Sequence, residues 1–118
     1  MPLNVDIEKV TDAVAVVTLT GQLTLGLNLK LADSQVHAAI ANGANKLVFD
    51  LSGLDYIDSA GLGMVVFTYG TLNEKGGTLR LCGVASRIAS VLKLTKTDEL
   101  LAIDATREES LKALGVTS

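Results

Sequence analysis

The apolar positions of this chain change period repeatedly, and each change marks an element. Val5 and Ile7 alternate with polar residues and lead to Lys9-Val10, which predicts a short first strand. Thr11-Asp12 reads as a turn, and residues 13–20 form a β-branched run typical of a buried strand. Gly21-Gln22 is expected to break that run. So short a link admits no crossover, so the two strands should pair antiparallel.

From Leu25 the repeat lengthens. Leu25, Leu29, Ala32, Val36 and Ile40 recur at three- and four-residue steps, one helical face, and Asn42-Gly43 supplies the stop. Residues 46–51 are apolar enough for a central strand, and a strand reached through a helix pairs in parallel. A second helix carries Leu62, Val65, Tyr69 and Leu72 on its buried stripe and ends at Gly76-Gly77. Residues 78–82 alternate as a half-buried strand. Ile88, Val91 and Leu92 mark a third helix with Ser86 as its cap, and residues 100–103 make a weak, short strand. Thr106 and Glu109 have the spacing of a capping box, Leu111 and Leu114 supply apolar contacts, and Gly115 ends the last helix. The order ββαβαβαβα predicts an α/β fold: one domain over residues 1–118, with a mixed β-sheet and flanking helices. No linker, repeat or low-complexity tail interrupts it.

Composition narrows the function. A chain of 118 residues, nearly half of them apolar, can bury a core without staples. Aromatic rings are confined to Phe49, Tyr56, Phe67 and Tyr69, and the net charge is −3. Few stacking platforms and no basic excess argue against nucleic acid and favour protein partners. One cysteine, Cys82, leaves no internal disulfide or thiolate zinc cluster, and one histidine, His37, makes a His-based metal site equally remote. The N-terminus shows no basic and apolar leader, and no apolar run approaches the ~18 residues of a membrane span. The expectation is a soluble cytoplasmic protein.

The stretch that concentrates candidate chemistry is Asp58-Ser59-Ala60-Gly61-Leu62-Gly63, lying between an apolar strand and an apolar helix. It puts a hydroxyl at a helix N-terminus, where backbone N–H groups lack intrahelical partners and the helix dipole favours an anion. Ser59 is therefore either a helix cap or a place where chemistry is done to the protein. A nucleophile elbow is excluded, because Ile57 stands where a small residue is needed and no general base accompanies the serine. His37 reads as a surface partner of Asp33 four residues away. The dinucleotide fingerprint lacks its third glycine, and Gly-Lys-Ser/Thr does not occur. Asp55 and Asp58 read as loop solvation and capping, Glu108 and Glu109 as helix-start charge, and Cys82 as a small buried apolar residue. No catalytic constellation remains, so the chain is not read as an enzyme.

Along the second helix, Ser59, Gly63, Val66, Phe67, Gly70 and Glu74 project towards one flank at ~100° per residue. Each interior glycine costs about 1 kcal/mol against alanine. Spacing narrowly favours Gly63 and Gly70 packing against a neighbouring element of the same domain. The other reading is a shallow surface for another protein, with Phe67 as its anchor.

The segment from Leu47 to Gly63, with Gly76-Gly77 and a strand ending in Cys82, resembles the STAS domain. It looks most like the stand-alone bacterial anti-sigma-factor antagonists, whose signature is the Asp58–Gly63 hexapeptide. Leu19-Thr20-Gly21-Gln22-Leu23 and Leu114-Gly115-Val116 extend the likeness over essentially the whole chain. The resemblance implies partner switching. The unphosphorylated antagonist binds an anti-sigma factor that is itself a serine kinase and so frees a sigma factor. Phosphorylation at Ser59 ends that binding, and a phosphatase resets it. The protein would need no cofactor, ATP being the co-substrate of the partner kinase, and would be a monomer or weak dimer with no nucleic-acid or membrane partner. Its partner-binding residues would be Gln22, Thr24, Asp58, Ala60, Gly61, Leu62, Gly63 and Phe67. Family members commonly carry acidic residues where this chain has Gln22 and Thr24, and Ala60 leaves Ser59 as the one acceptor in the motif. Two other roles stay open: a STAS subunit of a larger signalling scaffold, or a ligand-binding or lipid-transport accessory module.

Overall fold

The computed structural model describes residues 2–116. Alternation along its two longest strands sends apolar side chains to both faces of one sheet, and helices cover both. The strands are β1 (Asn4–Lys9), β2 (Val14–Leu23), β3 (Lys46–Ile57), β4 (Thr78–Cys82) and β5 (Ala102–Asp104), side by side in chain order. β1 pairs antiparallel with β2, and every later pair is parallel. The intervening helices are α1 (Leu27–Ala41), α2 (Ser59–Glu74), α3 (Ser86–Leu94) and α4 (Arg107–Ala113). This is the expected ββαβαβαβα order.

Ala15, Val17 and Leu19 of β2, and Leu47, Phe49 and Leu51 of β3, meet the buried stripes of α1, α2 and α3. The alternate residues Val14, Val16 and Val48 turn to the other face, where Leu114 and Leu111 close over them with Cys82. Strands buried on both sides read as near-continuous apolar runs, as β2 and β3 do. Each fully buried aliphatic or aromatic side chain contributes about 1.5–3 kcal/mol.

Several boundaries depart from expectation. Gly21-Gln22 does not end β2; the strand runs on to Leu23 through register shifts at Thr18/Thr20 and Gly21/Gln22. Gly21 has φ +96°, and a Cβ there would collide with the Pro2 carbonyl, so the glycine is a bulge under the segment that precedes β1. β3 likewise continues past Leu51 to Ile57, with Leu54 and Ile57 still buried while its polar residues face solvent. The paired extensions meet at Leu23 opposite Ile57. α1 starts at Leu27, leaving Leu25 outside it and 76% exposed. Tyr69 is half-buried rather than part of the core stripe. Ala85, not Ser86, occupies the N-cap of α3. Residues 97–99 form a 3-10 turn, so β5 begins later than expected, at Ala102. The capping box at Thr106 and Glu109 is present, with both reciprocal bonds made.

Candidate functional site

The extended C-terminal ends of β2 and β3 carry the site to one end of the sheet. β3 ends at Ile57, and Asp58 continues in extended backbone as the N-cap of α2. Its carboxylate accepts the Gly61 N–H at 2.8 Å, the bond expected of an N-cap side chain, and the Leu25 N–H at 3.0 Å from the β2–α1 loop. The Asp58 N–H donates to the Leu23 carbonyl at 3.2 Å, and its own carbonyl accepts the Leu62 N–H. These bonds to the charged form hold the Asp58 carboxyl below its ordinary value, the Leu25 N–H contributing most and the Gly61 N–H next.

The cap is therefore Asp58. Ser59 is the first helical residue, exposed, and its hydroxyl has no hydrogen-bond partner among the described residues. Of the two readings of Ser59, the capping one falls to its neighbour.

Around Ser59 the hexapeptide divides by depth. Gly61 is buried, and a Cβ there would run into the Leu23 carbonyl; close approach of the α2 N-terminus to β2 requires glycine. Leu62 is 8% exposed and belongs to the core. Gly61 and Leu62, expected among the partner-binding residues, both face inward from the first turn. Ala60 is half-buried and Gly63 is exposed. Nothing lies within 4 Å of a Cβ built at Gly63 or Gly70, so these glycines do not serve close packing within the domain. They leave open surface instead.

That surface is a shallow groove of about 260 Å³ between α1 and α2, lined by Lys30, Asp33, Ala60, Gly63 and Phe67 with Leu29 and Met64 at its floor. Phe67 is 62% exposed. Its ring meets His37 edge to face, centroids 5.5 Å apart at 61°. His37 is not a simple surface residue. Its Nε2 sits 3.2 Å from Asp33 Oδ1, both atoms shielded from solvent but not aligned as a hydrogen bond. A second depression of about 180 Å³ adjoins the β2–α1 loop, lined by Gln22, Thr24, Leu25 and Leu27 among others. Gln22 is exposed and Thr24 half-buried. Because Leu25 is bonded to Asp58, this loop and the serine form one continuous edge of the molecule.

Sequence reasoning missed Leu25 and Leu27 as surface residues, 76% and 71% exposed. The signal was there: Leu27 falls off the stripe set by Leu29, Ala32 and Val36, and Gly26 separates it from Leu25. Elsewhere, Asp55 is exposed and its carbonyl accepts from Arg87. Cys82 is buried, its thiol pushed up to about 11, chiefly by desolvation. Among the described residues no cluster of three or more His, Cys, Asp or Glu could hold a metal, and no helix is long and apolar enough to cross a membrane.

Residues 4–110 match the family model of the STAS domain. The chain belongs to the STAS domain family. Its relatives include the anti-sigma F factor antagonist of Paenibacillus polymyxa, 25% identical over 118 residues and covering both chains completely. Among solved structures, the anti-sigma factor antagonist SpoIIAA in its unphosphorylated form superposes with a TM-score of 0.82 at 19% identity, covering 98% of this chain and all of that one. The phosphorylated form of SpoIIAA, a Bacillus cell fate determinant, gives a TM-score of 0.70 at 22% identity over 94% of this chain and 99% of its own. The mixed five-stranded STAS sheet is thus the fold of this chain, and the hexapeptide sits at the head of its second helix.

Proposed function

We propose that this chain is an anti-sigma-factor antagonist whose binding is switched by a phosphate on Ser59. The observation that carries the reading is the exposed Ser59 hydroxyl, relieved of capping by Asp58 and set beside an open groove with Phe67 on its wall. The name borne by the full-length Paenibacillus polymyxa relative supports it. In the unphosphorylated state the edge formed by Gln22, Thr24, Leu25, Ser59, Gly63 and Phe67 docks on an anti-sigma factor that is also a serine kinase, releasing a sigma factor. The kinase transfers the γ-phosphoryl group of ATP to Ser59 Oγ, which loses its proton, and ADP leaves. A phosphatase returns the hydroxyl by hydrolysis, releasing inorganic phosphate. The chain itself is substrate and binder.

Electrostatics explain why this works as a switch without a change of fold. Phosphate adds a charge of about −1.5 to −2. Asp58 already occupies the Gly61 and Leu25 N–H groups, so the new charge stays at the solvent side of the helix start. At an interface the same charge stands next to Asp58 and must be desolvated, and like charges so placed cost several kcal/mol. The test is incubation with the anti-sigma kinases of the same organism and ATP, followed by phosphate mapping by mass spectrometry. One phosphate on Ser59, absent in Ser59→Ala, is expected. Phosphate on another residue, or none with any of these kinases, overturns the reading.

A further inference from the structure

The β2–α1 loop has little of its own to hold it. Gly26, the N-cap of α1, offers no side chain, and no acidic residue sits in the first turn of that helix. Of the backbone N–H groups at Thr24, Leu25 and Gly26, the Leu25 N–H donates to the far oxygen of Asp58. The other oxygen of the same carboxylate caps α2 through Gly61. Around this bridge, β2 and α2 are already in close contact. The Asp58 N–H reaches the Leu23 carbonyl, and Gly61 lets the helix start press against that same carbonyl. One carboxylate thus sets two things at once: the first turn that presents Ser59, and the loop that presents Gln22, Thr24, Leu25 and Leu27.

We propose that Asp58 is a positioning residue that latches the β2–α1 loop to the phosphorylation site, so that the two segments meet a partner as one preformed surface. This rests on the antagonist reading for its consequence, though not for its geometry. Asp58 need not touch the partner. Its second oxygen fixes the backbone of Leu25, and through it two exposed leucines whose ordering would otherwise draw on the binding free energy.

Asp58→Asn separates the two duties. The amide keeps one acceptor oxygen, enough to cap α2, since asparagine caps helices as well as aspartate does. Its –NH2 group would then face the Leu25 N–H donor to donor. In the full chain, amide hydrogen exchange followed by NMR should show the Leu25 N–H of Asp58→Asn exchanging at least ~10-fold faster, with Gly61 protected as in wild type. Asp58→Ala should release both amides, which confirms the assignment. Undiminished protection of Leu25 in both variants overturns the latch. With a kinase that phosphorylates the wild-type chain, Asp58→Asn should bind about tenfold more weakly although Ser59 is intact. Unchanged affinity beside a freed Leu25 amide overturns the role in recognition. If no kinase acts on the wild type, the antagonist reading falls, while the exchange data still decide the latch.

Discussion

Asp58 and Asp104 are built alike. Each carboxylate accepts from more than one donor, has its pKa lowered by those bonds, and has a serine within reach. Asp104 takes Arg80 Nε at 2.7 Å and Nη2 at 3.0 Å, then the Ser110 hydroxyl at 2.7 Å. Ser110, on the inward face of α4, is fully buried and its hydrogen is committed. Ser59 lies at the opposite extreme, exposed and uncommitted, because Asp58 bonds backbone N–H groups and leaves the hydroxyl alone. Residue type does not separate an exposed, uncommitted serine from a structural one. Depth and hydrogen-bond occupancy do.

The comparison can be broken most severely at Asp104. Asp104→Ala leaves the Arg80 guanidinium, only 25% exposed, without its bidentate partner. Chemical denaturation should register a loss of about 2–4 kcal/mol, against about 1 kcal/mol for Asp58→Ala, where a half-buried carboxylate loses its bonds to two backbone N–H groups and no buried charge is stranded. Equal losses would mean that the two sites are not structurally distinct.

The smallest expected effect is on pH dependence. Both carboxylates have folded pKa values below their ordinary ones, so the stability they contribute is complete above the ordinary carboxylate range. It fades as pH falls through the lowered folded values. Stability should therefore be flat above about pH 5 and decline below about pH 4. In Asp104→Ala that acid decline should be shallower than in wild type; parallel curves would deny Asp104 its share.

Much of this was readable from the amino acids. Periodicity located every helix, because the stripes of α1 and α2 are set by a few large aliphatics that had to be buried. Small residues were harder. Gly21 looked like a strand end because bulge and break have the same local signature, and only the Pro2 carbonyl lying over it distinguishes them. Gly61 and Gly63, two residues apart, are used in opposite ways, one against the Leu23 carbonyl and one facing solvent. The bond from Leu25 to Asp58 joins residues 33 positions apart and leaves no local trace. For the same reason the hexapeptide pointed to Ser59 alone, while Gln22 and Thr24 of the loop beside it came only from the family resemblance.

The most direct test of the central claim compares Ser59→Asp and Ser59→Ala for affinity towards an anti-sigma kinase first found to phosphorylate the wild-type chain. Circular dichroism should show the same fold in both. Titration should show Ser59→Ala binding as wild type and Ser59→Asp binding about 100-fold more weakly, the effect of a like charge beside Asp58. Equal affinity of the two variants would contradict the account.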